Sequence, residues 1–176
     1  LAAVEYDGSL THIALPYGHW KINQLRHQPG CADYFAFTFV RNPWARLVSA
    51  FAFLESGGIS PDDAAFRNGY LAGLDGDFDR FLDRLPDLMD FPHFRPQTYW
   101  LTSRKGVIRV DFVGRLERFD EDFAVVAERI GLDTGPPLHL NRSEHRDYRS
   151  YYSGPAVDRV AALYASDIEA FGYRFD

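Results

Sequence analysis

The stretch YFAFTFVRNPWARLVSAFAFL, Tyr34 to Leu54, passes from a strand pattern straight into a helix pattern. Residues 34–40 are aromatic and β-branched, as in a buried strand. Asn42 is suited to cap the next helix, and Pro43 to take its first position, where a missing N–H costs nothing. Leu47, Phe51 and Leu54 recur at helical spacing and are expected to pack inward. Asn42, Arg46, Ser49 and Phe53 are expected on the opposite face. Arg41 stands at the junction, on the sheet edge where open α/β folds bind ligands. The helix start adds unpaired N–H groups and partial positive charge. Arg41 and Ser49 are thus placed to meet one phosphate, one with charge and the other with a hydroxyl. The plainer reading pairs Arg41 with a carboxylate and packs Ser49.

Outward from this stretch, ESGGISP ends the helix, and residues 61–72 and 77–85 read as further helices, with a Pro-containing loop after the second. VIRVDFVGRLE predicts a second buried strand over about 107–113. FDEDFAVVAERIGL reads as an amphipathic helix with acidic residues in its first turn and Gly131 after its last. DTGPPLHLNRSEHRDYRSYY reads as a loop, and SGPAVDRVAALYASDIEAF as one closing helix with Ser153 as a possible cap. Strands alternating with helices imply an α/β domain with a mostly parallel sheet flanked by helices.

The chain has 176 residues and is 46% hydrophobic, which suits a single domain over residues 1–176. No apolar run approaches the roughly 18 residues of a membrane span, so none is expected. The first residues have no basic start and no apolar stretch, so no signal peptide is expected. The one cysteine, Cys31, rules out an intrachain disulfide and fits a reducing compartment. A net charge of −6 argues against a general nucleic-acid binder. Arginine far outnumbers lysine, which occurs only at Lys21 and Lys105. That usage suits phosphate and sulfate recognition and is also common in GC-rich bacteria. The expected setting is a bacterial cytoplasm. The histidines show no paired ligand spacing, so no metal site is expected.

FAFTFVRNPWARLVSAF resembles the 3′-phosphate-binding segment of the carbohydrate-type sulfotransferases, which use 3′-phosphoadenosine 5′-phosphosulfate (PAPS) as sulfate donor. Three later segments resemble that family in the same order: HFRPQTYWL, VDFVGRLERFDEDFAVVAERIGL, and the stretch from HLNRSEHRDYR to the tail FGYRF. The resemblance runs from about Gly18 to the end and implies the P-loop NTPase-like sulfotransferase fold. It implies that Arg41 and Ser49 hold the donor's 3′-phosphate, and that Asn141, Arg142 and Ser143 lie in a loop folded over the donor nucleotide. The family's donor loop, with a pattern like H-I-P-K-T-G-G-T-S, is not found, and no lysine precedes Lys21. The chain is therefore expected to be incomplete at its N-terminus, and Lys21 is given no role.

Sulfuryl transfer to a hydroxyl benefits from a general base, and His93 is the candidate. A surface or turn-bonding histidine is the plainer reading. Arg95 and Gln97 contact the acceptor or brace the loop, and Gln97 is equally able to satisfy a buried backbone group. Glu117 either orients an arginine or the acceptor sugar, or pairs with Arg115 or Arg118. Gly114 admits a close ligand approach or a bulge. Tyr148, Tyr151, Tyr152, Trp20, Trp44 and Trp100 read as packing residues. The expected activity is sulfuryl transfer from PAPS to a hydroxyl-bearing acceptor, a carbohydrate by resemblance. The alternative is a non-catalytic module that binds a nucleotide or an anionic glycan.

Overall fold

A computed structural model describes residues 19–132 and 146–176. The helices are α1 (Ile22–Arg26), α2 (Pro43–Glu55), α3 (Pro61–Phe66), α4 (Phe78–Leu88), α5 (Gln97–Leu101), α6 (Phe119–Ile130), α7 (Gly154–Leu163) and α8 (Ala165–Phe171). The strands are β1 (Phe37–Val40) and β2 (Phe112–Arg115), which pair in parallel with Phe37 opposite Phe112 and Val40 opposite Arg115. The architecture is α/β, as expected, with helices around a small parallel sheet.

The central junction forms as its residues dictate. Asn42 Oδ1 accepts from the amides of Trp44 at 3.1 Å and Ala45 at 3.4 Å, and Pro43 opens α2. Leu47, Val48, Phe51 and Leu54 form the inward stripe and are nearly or fully buried. They join Phe81, Leu82 and Leu85 of α4, Phe94, and Val160 of α7 in one core. Burying a side chain of the size of Phe51 contributes about 1.5–3 kcal/mol relative to leaving it in water.

Several boundaries differ from the sequence pattern. The first strand occupies only 37–40. The second begins at Phe112 rather than near 107, because Val107 and Ile108 turn back on the end of α5 through an antiparallel bridge between Thr102 and Ile108. The Asp111 carboxylate then takes the amide of Ala36 at 2.8 Å, just ahead of the ladder. The 61–72 helix is α3 followed by a π-helical turn over Arg67–Leu71. The loop expected after residue 85 is helix: α4 runs through Pro86 to Leu88. Proline lacks the N–H that would bond the carbonyl of Leu82. The Arg159 guanidinium donates to that carbonyl instead, at 2.9 Å, and also meets Asp83.

The single closing helix is two helices, interrupted at Tyr164 (φ −110°, ψ 25°). The Tyr164 hydroxyl donates to the carbonyl of Phe94 at 2.7 Å, and the break starts a helix that delivers the fully buried Asp167 to the core. Ser153 precedes α7 in extended conformation, but its side chain makes no cap bond. α6 ends as expected, with Gly131 left-handed at φ 67°. Among the described residues, no helix is long and apolar enough to cross a membrane.

Gly114 makes no bulge, since the ladder runs through it in register. It lies opposite Phe39 in the ladder, and a Cβ there would stand 2.6 Å from the Phe39 ring and 3.2 Å from Asp122 Cβ. The glycine makes room for the aromatic ring across the strand pair. Gly114→Ala should destabilise the fold by about 1–3 kcal/mol through overpacking. Urea unfolding is the check, and an unchanged midpoint contradicts this packing role.

Candidate active site

Arg41 follows β1 directly, and its backbone is held from two sides. Gln97 Oε1 accepts from the Arg41 amide at 2.9 Å, and Gln97 Nε2 donates to the Arg41 carbonyl at 2.9 Å. Gln97 thus satisfies a backbone segment that has run out of sheet partners. It is itself fixed by Asp167. The two Asp167 oxygens accept from the amides of Gln97 (2.7 Å) and Thr98 (2.8 Å), the Thr98 hydroxyl (2.8 Å) and Gln97 Nε2 (3.3 Å).

Glu117 secures the next residue. Its Oε1 accepts from the Asn42 amide at 2.6 Å, and its Oε2 from the Tyr173 hydroxyl at 3.2 Å. Neither expected pairing is adopted. Arg118 meets Asp122 at 3.4 Å, while Arg115 donates to the carbonyl of Phe171 and lies 4.8 Å over the Tyr173 ring. Asn42 Nδ2 donates to the carbonyl of Arg174 at 2.8 Å, so the C-terminal tail is tied to the same junction.

These contacts leave the Arg41 side chain at the wall of an open cavity of about 520 Å³. Arg46, Ser49, Ala50 and Phe53 of α2 line it, with Pro92 and His93 from the loop before α5, Trp100 of α5, and His19 and Trp20. Arg46, Ser49 and Phe53 share a face as the spacing predicted. Asn42 does not, because it is buried at the cap. Trp20 and Trp100 are cavity walls, whereas Trp44 is a packing residue, buried with its indole N–H on the Val157 carbonyl. Tyr152 also packs as expected, and its hydroxyl donates to the carbonyl of Trp44 at 2.9 Å.

Two guanidinium groups line this cavity, and their chemistry suits an anion. Burial lowers the pKa of Arg41, opposed by the charges of Glu117 and Tyr173. Burial also lowers that of Arg46, opposed by Tyr164 and Asp167. Arg46 donates to the carbonyl of Arg95 at 3.0 Å. Among the described residues, neither guanidinium has a carboxylate within ion-pairing distance. A desolvated cation without such a partner favours an anion from solution.

His93 faces the same cavity. Burial lowers its pKa, the charges of His19 and Arg46 lower it further, and Asp63 opposes them. The imidazole is therefore neutral at neutral pH, the state a general base requires. His93 Nε2 lies 3.5 Å from Asp63 Oδ1. The structure holds Arg95 out of the cavity wall. Its guanidinium binds the carbonyl and carboxylate of Asp90 at 2.8 and 2.9 Å and stacks over Tyr99, bracing the loop that carries His93. Lys21 also sits on Tyr99, with Nζ 3.4 Å from the ring centre. Asn141, Arg142 and Ser143 lie outside the described residues. Among the described residues, no cluster of three or more His, Cys, Asp or Glu side chains is arranged to hold a metal.

Sequence reasoning singled out Arg41, Ser49 and His93 as site residues, and the fold brings them to one cavity. It missed Arg46 as a second cation, although Arg46 stands three residues before Ser49 on the same helical face. It missed Asp63 and Asp167. Asp63 had a local signal, since S-P-D-D is a helix-capping pattern, but its approach to His93 is tertiary.

A protein-family model described as the sulfotransferase family matches residues 17–174. An uncharacterized protein of Archaeoglobus fulgidus is 27% identical over 116 residues, covering 66% of this chain and 83% of its own length. Carbohydrate sulfotransferase 12 of Xenopus laevis is 28% identical over 170 residues, covering 80% of this chain and 40% of its own. Carbohydrate sulfotransferase 14 of Danio rerio is 30% identical over 141 residues, covering 71% and 36%. The chain thus spans well under half the length of the two carbohydrate sulfotransferases. No solved structure matches significantly.

The His93 environment has a pH consequence. Folding lowers the His93 pKa below its unfolded value of about 6.5, so the folded state binds the proton less readily. The stability this confers is present above the unfolded pKa and is lost as pH falls through the folded one. NMR titration should place the His93 midpoint below that of a free histidine. A midpoint at or above it contradicts the electrostatics described.

Proposed function

This chain belongs to the sulfotransferase family, and on that premise we propose that it carries the 3′-phosphate site and the general base of an enzyme transferring a sulfuryl group from PAPS to an acceptor hydroxyl. One observation carries the reading: Arg41 and Ser49 open onto one cavity at the end of β1, with Arg46 and the neutral His93 on the same walls. A carbohydrate acceptor is supported by the names of the relatives alone.

In this reading Arg41 gives the 3′-phosphate a charged, planar donor, and Ser49 gives it a hydroxyl. Arg46 adds a second positive charge to the cavity. Gln97 and Glu117 touch no substrate; they fix the backbone from which Arg41 projects. Arg95 acts in the same way on the loop of His93. Resemblance to the family assigns Asn141, Arg142 and Ser143 to binding the donor nucleotide. His93 takes the proton of the attacking hydroxyl, a role worth about 10²–10⁴-fold in such reactions. Transfer is in line, so positioning and charge supply most of the remaining acceleration. PAPS is the co-substrate and supplies the sulfuryl group.

Isothermal calorimetry with 3′-phosphoadenosine 5′-phosphate tests the phosphate site. Arg41→Ala should weaken binding by about 2–3 kcal/mol, the loss of a charged hydrogen bond to a partly desolvated phosphate. Equal affinity in variant and wild type rejects the placement. Sulfate transfer by the complete gene product to a panel of glycans tests the acceptor class.

A further inference from the structure

Asp63 sits at the third position of α3, where it completes a capping box. Its Oδ2 accepts from the amides of Ile59 (3.1 Å) and Ser60 (3.0 Å) and from the Ser60 hydroxyl (2.8 Å). Helix capping thus occupies one carboxylate oxygen. The other, Oδ1, faces His93 Nε2 at 3.5 Å. The pocket for this carboxylate is made by a glycine: a Cβ on Gly58 would fall 2.2 Å from Asp63 Cβ and 2.6 Å from Oδ2. Gly58 is also left-handed, at φ 61°. The Asp63 side chain is therefore locked on its capping side and presents a fixed oxygen to the imidazole.

Other groups face His93 as well. Arg46 approaches from α2 and His19 from the segment before α1, both disfavouring a proton on the ring. The Phe53 ring stands 6.0 Å away, centre to centre. Asp63 is the one carboxylate among these neighbours. Desolvation pushes its pKa up, but the Ser60 hydroxyl, the two amides and His93 outweigh it and hold the carboxyl below its ordinary value, so it is ionised at neutral pH.

We propose that Asp63 is a positioning residue for His93: its Oδ1 keeps the ring proton on Nε2, so that Nδ1 is the nitrogen that accepts the acceptor's proton. The inference rests on His93 serving as base in the reaction above. As the acceptor oxygen bonds to sulfur, its proton moves to Nδ1. The bond between sulfur and the donor's bridging oxygen breaks, and that electron pair leaves with 3′-phosphoadenosine 5′-phosphate. The resulting imidazolium stands beside an ionised carboxylate, which stabilises it. The 3.5 Å separation is at the long end of hydrogen-bond range, and catalytic hydrogen bonds of this kind tighten in the Michaelis complex.

The test combines imidazole ¹⁵N NMR of this chain with kinetics of the complete gene product carrying Asp63→Asn. Wild-type His93 should show a protonated Nε2 and an unprotonated Nδ1 at neutral pH. Asp63→Asn should blur that tautomer, lower turnover at least about tenfold, a share of the ~10²–10⁴-fold a base supplies, and move the acidic limb of the pH–rate profile to lower pH. The sign follows from removing a charge that favours the ring proton. A purely structural Asp63 would leave the tautomer unchanged. A wild-type His93 protonated on Nδ1 overturns the proposal even if the variant does not fold, as does an unmoved limb. A blurred tautomer with unchanged turnover overturns the base assignment itself, separating that failure from failure of the Asp63 contact.

Discussion

The buried Asp167 carboxylate is the constraint on which the site depends. It receives the first amides of α5 and so fixes Gln97. Gln97 then takes both backbone groups of Arg41 and extends the sheet by one residue with a side chain. Without Asp167, the amides of Gln97 and Thr98 would be buried unpaired, each costing about 1–3 kcal/mol. The interruption of the closing helix at Tyr164 belongs to the same arrangement, because α8 starts afresh there and carries Asp167 inward.

This arrangement also explains how an acidic chain makes a cationic cavity. Burial lowers the pKa values of Arg41 and Arg46, and the charges of Glu117 and Asp167 oppose that without outweighing it. Yet both carboxylates spend their oxygens on amides and hydroxyls. They favour the charged guanidinium without forming an ion pair with it, which leaves each arginine able to bind an anion. Asp63 follows the same pattern at His93, with one oxygen committed to capping and the other to the imidazole.

Much of this was legible in the sequence because it is local. The Asn42 cap, the Pro43 start, the inward stripe of α2 and the Gly131 stop each depend on residues within a few positions. The face shared by Arg46, Ser49 and Phe53 follows from helical period alone. What was not legible depends on partners far along the chain. Pro86 reads as a helix breaker until Arg159 supplies the missing donor. Gln97 reads as a ligand contact as readily as a backbone clamp until Asp167 fixes it. Gly114 reads as a bulge until the Phe39 ring occupies its face. The strand ends moved for the same reason: Val107 and Ile108 are β-branched but pair back on α5 rather than on β1.

The central claim is that Arg41, held by Gln97 and Asp167, and Ser49 together grip one phosphate. A crystal structure of this chain with 3′-phosphoadenosine 5′-phosphate measures that directly. The account predicts the 3′-phosphate oxygens within hydrogen-bond distance of the Arg41 guanidinium and the Ser49 hydroxyl, with the Arg41 backbone still clamped by Gln97. A nucleotide seated elsewhere, or a 3′-phosphate held without Arg41, contradicts it.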